Sequence, residues 1–359
     1  MLQALECARE EIRLEVYIYA NDHLGLCFRN KLLEATRRGV KVRVLIDAFG
    51  SMELPSGFWD ELQNAGGKVK IFNPFWLKRL GFRDHRKMLV CDSTVAFAGG
   101  YNIAHEYEGD GVKTGWCELG VEIRGEPVLS FLGAFDEMFE QADEPHPWIG
   151  NRAHAGTRKK VMMNDGELLL GGPGLIGSPF KRILREDLSR SLDVRIVAAY
   201  FLPTARIRRE LLRVIRRGGR VRLILPAKSD VGLSQLAAHG LYRRLLKAGV
   251  EVYEYQPQVL HAKLIIADQI VFAGSSNLDP RSLLINYELM LRITESDAVR
   301  QAQDLFESML QRSRRIELAE WIAHRTFWSR LRGRWASFLL GRLDPLVAGW
   351  YLGRNRYRE

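Results

Sequence analysis

Two stretches of the chain decide its fold, because each repeats the other. Residues 85–102 read HRKMLVCDSTVAFAGGYN, and residues 261–277 read HAKLIIADQIVFAGSSN. Each begins with His-x-Lys, runs through apolar residues to an Asp, and ends in Gly-[Gly/Ser]-x-Asn. The two histidines are 176 positions apart. This self-similarity predicts two related structural units in one chain.

A second pair of segments repeats at nearly the same distance. Residues 11–47 and 193–226 both read as strand, turn, amphipathic helix and strand, with β-branched apolar strands. Their helices are predicted to stop at Gly39 and Gly218, which are 179 positions apart. The histidines and the helix-ending glycines repeat at nearly the same distance, 176 and 179 positions, and this agreement indicates a tandem duplication.

The fold class is therefore α/β, a tandem duplication in which each half is a mixed sheet flanked by helices. We expect a first half at residues 1–150, a second at 151–311 and a basic, aromatic helical segment at 312–359, with the seam inside 126–158. Before its first matched strand the second half has a strand-like stretch (160–163) and a helical one (180–192). Residues 1–10 have room for the helix alone. Either the first sheet lacks an edge strand or the true start lies upstream.

The repeats concentrate residues suited to phosphate chemistry. A His and a Lys two residues apart on a strand point to the same face. The second motif has one residue fewer after its Asp, which predicts a tighter hairpin turn. Facing each other, the motifs would surround a tetrahedral anion with imidazole, ammonium and amide groups. The set is His85, Lys87, Asn102, His261, Lys263 and Asn277. One His can attack phosphorus and the other can protonate the leaving alcohol. The lysines can neutralise the charge of the phosphate, so the pattern does not require a metal ion.

Any one of these residues has an ordinary explanation. A lone His on an apolar strand is usually a core histidine, and a lone His-x-Lys is a weak signal. Two copies of the extended pattern in one chain are much harder to explain as coincidence.

The paired motifs resemble the HKD motifs of the phospholipase D superfamily, and the chain resembles the bacterial cardiolipin synthases within it. The narrower resemblance covers nearly the whole chain. It rests on the residues at 38–40 (RGV), 47–51 (DAFGS), 199–203 (AYFLP), 245–250 (LLKAGV), 274–282 (GSSNLDPRS) and 286–288 (NYE).

This resemblance implies two halves joined about a pseudo-twofold axis and a covalent phosphatidyl-histidine. By position His85 resembles the nucleophile and His261 the acid/base, and Lys87, Lys263, Asn102 and Asn277 would hold the phosphate. The motif aspartates, Asp92 and Asp268, complete the catalytic motif as scaffold members. An acid would lie behind each histidine, Glu118 behind His85 and Glu288 behind the second. For both glutamates an ordinary surface position on a strand is the alternative.

Composition sets further limits. The net charge is +10, which favours an anionic partner, and +7 of it lies in residues 312–359. Trp321, Trp328 and Trp335 recur there every seven residues, with Leu331 and Phe338 on the same helical face and Arg330 and Arg334 away from it. Such a helix suits a membrane interface, and packing as core on the second half is the alternative.

The resemblance implies transfer of a phosphatidyl group from phosphatidylglycerol to a second phospholipid alcohol, with release of glycerol. The alternatives are a hydrolase or a phosphodiesterase acting on nucleic acid with the same core, or a membrane-binding protein with a decayed site. We expect no cofactor, no metal and no nucleic-acid partner. Because no run of about 18 apolar residues occurs, we expect no transmembrane helix and a peripheral location on a bacterial cytoplasmic membrane. The acceptor and the oligomeric state stay open.

Overall fold

The computed structural model describes residues 1–74, 81–142, 159–173, 178–323, 335–336 and 338–340. Within these residues the chain forms two mixed sheets with helices on their faces. The helices are α1 (Leu2–Cys7), α2 (His23–Arg37), α3 (Asp60–Asn64), α4 (Val128–Gln141), α5 (Pro179–Leu188), α6 (Ala205–Arg216), α7 (Gly232–Lys247), α8 (Pro280–Leu284), α9 (Ser296–Gln311) and α10 (Leu318–Ala323). The strands are β1 (Glu11–Val16), β2 (Lys41–Asp47), β3 (Lys68–Phe72), β4 (Met88–Cys91), β5 (Val95–Gly99), β6 (Gly120–Arg124), β7 (Lys160–Met163), β8 (Gly166–Gly171), β9 (Asp193–Ala198), β10 (Arg220–Pro226), β11 (Glu251–Tyr255), β12 (Lys263–Ala267), β13 (Ile270–Gly274), β14 (Glu288–Ile293) and β15 (Ser313–Arg315).

The two sheets share one strand order. The first runs β3-β2-β1-β4-β5-β6, and the second contains the same series as β11-β10-β9-β12-β13-β14. In each, the first three strands are parallel and the next three antiparallel. The second sheet is longer, because β15 extends one edge and β8 and β7 extend the other. The predicted duplication of a mixed α/β unit is confirmed.

The two matched helices end where the sequence predicts. After α2 the chain turns through Gly39 at a φ of 91°, and after α6 through Gly218 at a φ of 83°. Glycine adopts such left-handed angles without steric cost, which is why it stops a helix here. Each helix then feeds the next parallel strand of its sheet.

The hairpins inside the two motifs also differ as predicted. Three residues separate β4 from β5, and two of them, Asp92 and Ser93, have φ values of 51° and 55°. Only Asp268 and Gln269 separate β12 from β13, and Asp268 alone has a positive φ, 53°. The second turn is therefore tighter by one residue.

The far edge of each sheet differs between the halves. The predicted strand at 160–163 and helix within 180–192 appear as β7 and α5. The strand β8, which lies between β14 and β7, has no counterpart among the predicted elements. Over the described ranges the first sheet has no counterpart of β8, so β6 is its edge strand.

One apolar core joins the two halves. The predicted seam begins with α4, whose Phe131, Phe135 and Met138 are buried in a cluster with Leu168 of β8 and Leu289 of β14. A single cluster therefore contains side chains from both sheets. The remainder of the predicted seam, residues 143–158, lies outside the described residues.

Two short backbone bridges mark the pseudo-twofold relation between the halves. Asp84 pairs with Tyr287, and Leu260 pairs with Cys117, both in parallel. Asp84 and Leu260 precede the two motif histidines, so the bridges occupy equivalent places. Each half reaches across to the other in the same way.

The segment after α9 is partly built into the second half. Its strand β15 pairs with β11, and Trp321 of α10 packs against Tyr242 with ring centroids 4.7 Å apart. Trp335 and Phe338, by contrast, are 58% and 45% exposed. The predicted apolar stripe is thus divided. Its members Trp328 and Leu331 lie outside the described residues, as do the two arginines predicted on the other face, Arg330 and Arg334. None of the helices in the described part of the chain is long and apolar enough to cross a bilayer.

Candidate active site

The histidine and lysine of each repeat lie where an antiparallel strand begins. Lys87 immediately precedes β4, and Lys263 is the first residue of β12; each histidine lies two residues before its lysine. Each lysine Nζ donates to the backbone carbonyl of its own histidine, at 2.8 Å for Lys87. Both lysines are 3% exposed. Burial, and to a lesser degree the charge of Lys263, lower the pKa of His85 and of Lys87.

Each histidine is paired with a carboxylate from the other half of the chain. His85 Nδ1 lies 3.0 Å from Glu288 Oε2, and His261 Nδ1 hydrogen-bonds Glu118 Oε2. The expectation that Glu118 lies behind His85 is therefore wrong. Both predicted acids are present, but the pairing is crossed.

The crossing follows from the backbone bridges between the halves. His85 N donates to the carbonyl of Tyr287 at 2.9 Å, and His261 N donates to the carbonyl of Cys117 at 2.8 Å. In both cases the glutamate is the next residue along the chain. Each bridge therefore delivers a carboxylate beside the histidine of the opposite half.

The two glycine-containing turns accommodate these carboxylates in different ways. A Cβ placed on Gly100 would overlap the carboxyl group of Glu118. The equivalent residue of the second motif is Ser275, whose hydroxyl donates to Glu288 Oε2. The first turn thus provides space and the second provides a hydrogen bond.

Burial dominates the protonation of the first motif. It lowers the pKa of His85 to about 4, although the Glu288 carboxylate pulls in the opposite direction. It lowers the pKa of Lys87 to about 7, again against Glu288 and with help from Lys263. Near neutral pH, His85 is consequently a neutral imidazole. Because its Nδ1 faces a carboxylate, its Nε2 is the atom suited to attack.

In the second motif the histidine and the lysine are in direct contact. Burial and the neighbouring Lys263 lower the pKa of His261, against the pull of Glu118. Burial also lowers the pKa of Lys263, whose Nζ lies 2.8 Å from His261 Nδ1 and 3.4 Å from Glu118 Oε2. Burial by itself would raise the pKa of Glu118, but Lys263 and His261 hold it below its usual range. These three side chains form one charge network.

The motif aspartates lie at the opposite end of their strands from the histidines. Asp92 accepts hydrogen bonds from the backbone N–H groups of Arg9, Glu10 and Glu11 at 2.8, 2.8 and 3.1 Å. Asp268 does the same for Leu192 and Asp193 at 3.1 and 2.8 Å. Both therefore fix the start of the neighbouring strand, β1 or β9. These contacts agree with the expectation that both aspartates are scaffold members of the motif, and their absence from the chemistry stays a prediction.

The two asparagines differ in their surroundings. Asn102 Oδ1 accepts from Ile18 N at 3.0 Å, and its Nδ2 donates to the hydroxyl of Tyr107 at 2.6 Å. Tyr107 in turn lies edge-on to His261, with ring centroids 5.6 Å apart. Asn277 is 3% exposed, and its Oδ1 has no hydrogen-bond partner among the described residues. Asn102 therefore supports the wall beside His261, while Asn277 is buried two residues after Ser275, which contacts Glu288.

Comparison with known proteins identifies the family to which this chain belongs. The family model described as cardiolipin synthase, phospholipase-D-like domain, matches residues 1–141 and 184–310. The chain belongs to this cardiolipin synthase family. The major cardiolipin synthase of Bacillus subtilis is 31% identical over 342 residues, covering 92% of this chain and 70% of that protein. Cardiolipin synthase A of Pseudomonas syringae is 31% identical over 331 residues, covering 89% and 67%.

These matches confirm the predicted family and the predicted enzyme class, a phosphatidyltransferase of the phospholipase D superfamily. The chain spans about two thirds of the length of the curated relatives it matches, 63–70% among the first eight. Among solved structures, the phosphatidylserine synthase of Haemophilus influenzae superposes with a TM-score of 0.74 at 14% identity. The match covers 97% of this chain and 91% of that one. It supports the two-half fold.

In this cardiolipin synthase homologue, aromatic side chains surround the second histidine. Trp116 and Tyr200 lie 5.4 and 6.2 Å from the His261 ring by their centroids. Tyr200 also donates to Asp230 Oδ2 at 2.5 Å. On the other side, Tyr17 lies 5.1 Å from the His85 ring. The motif pattern gives no sign of these neighbours, since Tyr17 and Tyr200 follow β1 and β9, and Trp116 lies between the end of the first motif and β6.

A buried charge cluster accompanies the first motif only. Glu15, Asp84 and Arg86 are 0–1% exposed, and burial together with Asp84 raises the pKa of Glu15 far above its usual range. Their equivalents in the second half are Val197, Leu260 and Ala262. Comparing the repeats position by position, rather than motif by motif, would have exposed this difference in the sequence.

Proposed function

We propose that this chain transfers a phosphatidyl group from phosphatidylglycerol to the hydroxyl of a second phospholipid, which gives cardiolipin and releases glycerol. The observation that carries the proposal is the pair of crossed His–Glu contacts, one from each half, beside two buried lysines. Family membership supports the choice of substrate, because the named relatives are cardiolipin synthases.

The first step forms the covalent intermediate. His85 Nε2 attacks the phosphorus of phosphatidylglycerol, a P–N bond forms, and the P–O bond to the glycerol headgroup breaks. Protonated His261 gives its proton to the departing glycerol oxygen. Glu288 stabilises the positive charge that develops on His85.

The second step reverses these roles. His261, now neutral, accepts the proton of the incoming lipid hydroxyl, whose oxygen attacks the phosphorus as the P–N bond breaks. His85 returns to its neutral form and His261 to its protonated form. The course is ping-pong, with one phosphodiester broken and one formed.

The lysines supply the charge that these steps require. Lys87 and Lys263 would neutralise the phosphate oxygens, most strongly as charge builds in the transition state. Phosphate binding would hold Lys87 in its charged form, because an adjacent anion offsets the burial that lowers its pKa. No step of the proposed scheme is assigned to a metal ion.

The test is to incubate the protein with phosphatidylglycerol labelled in both its glycerol headgroup and its acyl chains, in mixed micelles. Cardiolipin and free glycerol in equal amounts are expected. His85→Ala should abolish both products. Phosphatidic acid in place of cardiolipin would identify a hydrolase and overturn the proposal, and so would activity on a nucleic-acid diester alone.

We further propose that the protein works at the surface of an anionic membrane as a peripheral protein. The exposed rings of Trp335 and Phe338 support this location, since aromatic side chains favour the bilayer interface. The basic balance of residues 312–359 is suited to anionic lipids. The boundaries 1–150, 151–311 and 312–359 are retained as the proposed division, with β15 and α10 attached to the second half.

A further inference from the structure

An apolar cleft of about 300 Å³ lies on the face of the first sheet that packs against α1 and α2. Its wall includes Leu14, Val16, Phe97 and Ile103, which all belong to the apolar cluster on that face. Tyr101 also lines the cleft and is 36% exposed, so the cleft reaches the surface. Sites for small molecules have volumes of about 300–1,000 Å³. The cleft is therefore large enough for part of an apolar ligand.

The cleft shares a wall with the proposed active site. Lys87 lines the cleft, and its Nζ donates to the carbonyl of His85 at 2.8 Å. The hydroxyl of Tyr101 donates to the backbone carbonyl of Glu118 at 3.5 Å, and the carboxylate of Glu118 pairs with His261. A group bound in the cleft would therefore lie beside a lysine that is proposed to hold the transferred phosphate.

The acidic residues of the wall do not give the cleft an anionic lining. Glu122 accepts a hydrogen bond from Arg124 Nε at 2.7 Å, and both side chains are exposed. Glu15 lies between Leu14 and Val16 on β1, so its side chain points to the opposite face of the sheet, because side chains alternate along a strand. The remaining lining is mostly apolar and suits a hydrocarbon.

The second half fills the equivalent space with a side chain of its own. Gly120 of β6 pairs with Gly99 of β5, and Met290 of β14 pairs with Gly274 of β13 in the same way. Met290 is 1% exposed, and Ser276 N donates to its Sδ at 3.4 Å. Where the second half has a buried methionine, the first half has a glycine that lines the cleft.

The edge of the sheet adds to this difference between the halves. In the second half β8 pairs with β14, and Phe180 of α5 packs against Phe272 with ring centroids 5.7 Å apart. Phe272 is 0% exposed, whereas its equivalent, Phe97, is only partly buried. In the described part of the first sheet β6 is the edge strand, and Gly120 is exposed. The open cleft is therefore specific to the first half.

We propose that this cleft binds part of an acyl chain of the lipid whose phosphate Lys87 holds. The inference rests on the proposed function, in which a phosphatidyl group is transferred. A hydrocarbon chain suits the apolar lining, and each methylene group removed from water strengthens binding about fourfold. A water-soluble phosphodiester has no such chain. The cleft would thus favour a lipid donor over other substrates that carry the same phosphodiester.

Occupancy of the cleft is tested by photo-crosslinking. Phosphatidylglycerol with a diazirine in one acyl chain is irradiated with the protein in detergent micelles, and the labelled peptides are identified by mass spectrometry. Label is expected on β5, on β6 or on Tyr101. It should be about tenfold weaker with a diacylglycerol that carries the same chain, because this lipid lacks the phosphate. Label on other segments alone, or equal label with both lipids, would overturn the proposal.

Gly120→Met places in the cleft the residue that the second half has there. A Cβ on Gly120 would lie 3.0 Å from the Tyr101 ring and 3.8 Å from Ala98 O, so a small movement of the ring accommodates it. We expect the label on β5, β6 and Tyr101 to be lost. The kcat/KM ratio of dioctanoyl to dibutanoyl phosphatidylglycerol, both below their critical micelle concentrations and assayed by glycerol release, should fall about tenfold. That change corresponds to withdrawing about two methylene groups from the cleft.

The matched control is Gly133→Met, the same substitution at an exposed position of α4 where a Cβ meets no atom within 4 Å. It should leave both the label and the ratio unchanged. If Gly120→Met also keeps both, the cleft does not hold the chain. If Gly120→Met fails to fold, the label in the unmodified protein decides. If the unmodified protein releases no glycerol from phosphatidylglycerol, the proposed function fails, and the crosslinking result still decides whether the cleft binds a chain.

Discussion

Individual carboxylates in this site take roles that their chemistry alone does not reveal. Asp92 and Asp268 belong to the motif that identifies the family, yet their oxygens accept from backbone N–H groups at the start of β1 and β9. Glu118 and Glu288 lie outside the motif, yet they contact the imidazoles. The position of a residue in a motif therefore does not settle whether it takes part in the chemistry.

Asp92→Asn should lower the unfolding free energy and leave kcat nearly unchanged. Asparagine tolerates the positive φ of 51° but loses the charge that strengthens the bonds to Arg9, Glu10 and Glu11. We expect a loss of about 1.5 kcal/mol of unfolding free energy in urea titrations, and kcat per folded molecule within about twofold. Asp268→Asn should have the same effects on unfolding free energy and kcat. A large loss of kcat at unchanged stability would instead place Asp92 in the reaction.

The pH dependence of kcat/KM should reflect the buried first motif. Attack requires neutral His85, so kcat/KM should rise as pH passes the His85 pKa of about 4. It should fall again by about pH 7, where free Lys87 loses its proton and where His261 has already begun to lose the proton it must donate. The optimum for the free enzyme is therefore acidic.

The crossed pairing can be tested by the same pH profile. The Glu288 carboxylate raises the pKa values of His85 and Lys87, so Glu288→Gln should move the rising limb to lower pH. Glu118→Gln acts on His261 and Lys263 and should leave that limb in place. The opposite result, with Glu118 controlling the rising limb, would contradict the pairing.

At the residue scale, the sequence predicts identities better than partners. The His and Lys residues are found because the motif occurs twice, and both glutamates are found by position. Their pairing is not found, because it depends on the bridges of Tyr287 and Cys117 to the opposite half. Tyr17 is missed for a related reason, since it approaches His85 from the loop after β1, which the motif does not include.

Among the secondary structures, the turn after β5 has no room for a side chain at Gly100. Gly100→Ala would place a methyl group against the Glu118 carboxyl group and displace it from His261. We expect kcat to fall at least about tenfold, as when the group that orients a functional imidazole is removed. Stability should fall by about 1–3 kcal/mol from overpacking.

The matched control for Gly100 is Gly133 in the exposed part of α4, where a Cβ meets no atom within 4 Å. Gly133→Ala should raise the unfolding free energy by about 0.5–1 kcal/mol and leave kcat unchanged. If Gly100→Ala behaves like this control, the close approach of Glu118 to the turn is not needed for activity.

The elements that the sequence predicts well are those with local signals. Gly39 and Gly218 end helices because they adopt positive φ, and the shorter second motif shortens its hairpin by one residue. β8 is missed because its place, between β14 and β7, is defined by a partner more than 100 residues away in sequence. Local patterns do not encode such long-range pairing.

On the scale of the whole molecule, the exposed rings of Trp335 and Phe338 should serve membrane binding. Changing both to Ser should lower partition to phosphatidylglycerol vesicles about tenfold in sedimentation assays, because interfacial burial of two aromatic rings is lost. Activity in detergent micelles should stay within about twofold. This double variant is preferable to removal of residues 312–359, which would also delete β15 and the Trp321 contact.

The control is Leu192→Ser, which alters a 53% exposed apolar residue just before β9, at the opposite end of that strand from the loop that carries Tyr200. It should leave vesicle binding unchanged. Equal losses in the two variants would mean that general surface hydrophobicity, and not the C-terminal rings, drives the association.

The crossed His–Glu contacts also bear on how such a chain could arise. An ancestor consisting of one half would carry a histidine and a glutamate unable to meet within the same copy, so only a symmetric pair of molecules could have assembled either contact. Fusion of two copies removed the need for both to stay alike. The first half now holds Glu15, Asp84 and Arg86 where the second has apolar residues. One ancestral surface has thereby become two specialised sides, free to accept different parts of a substrate.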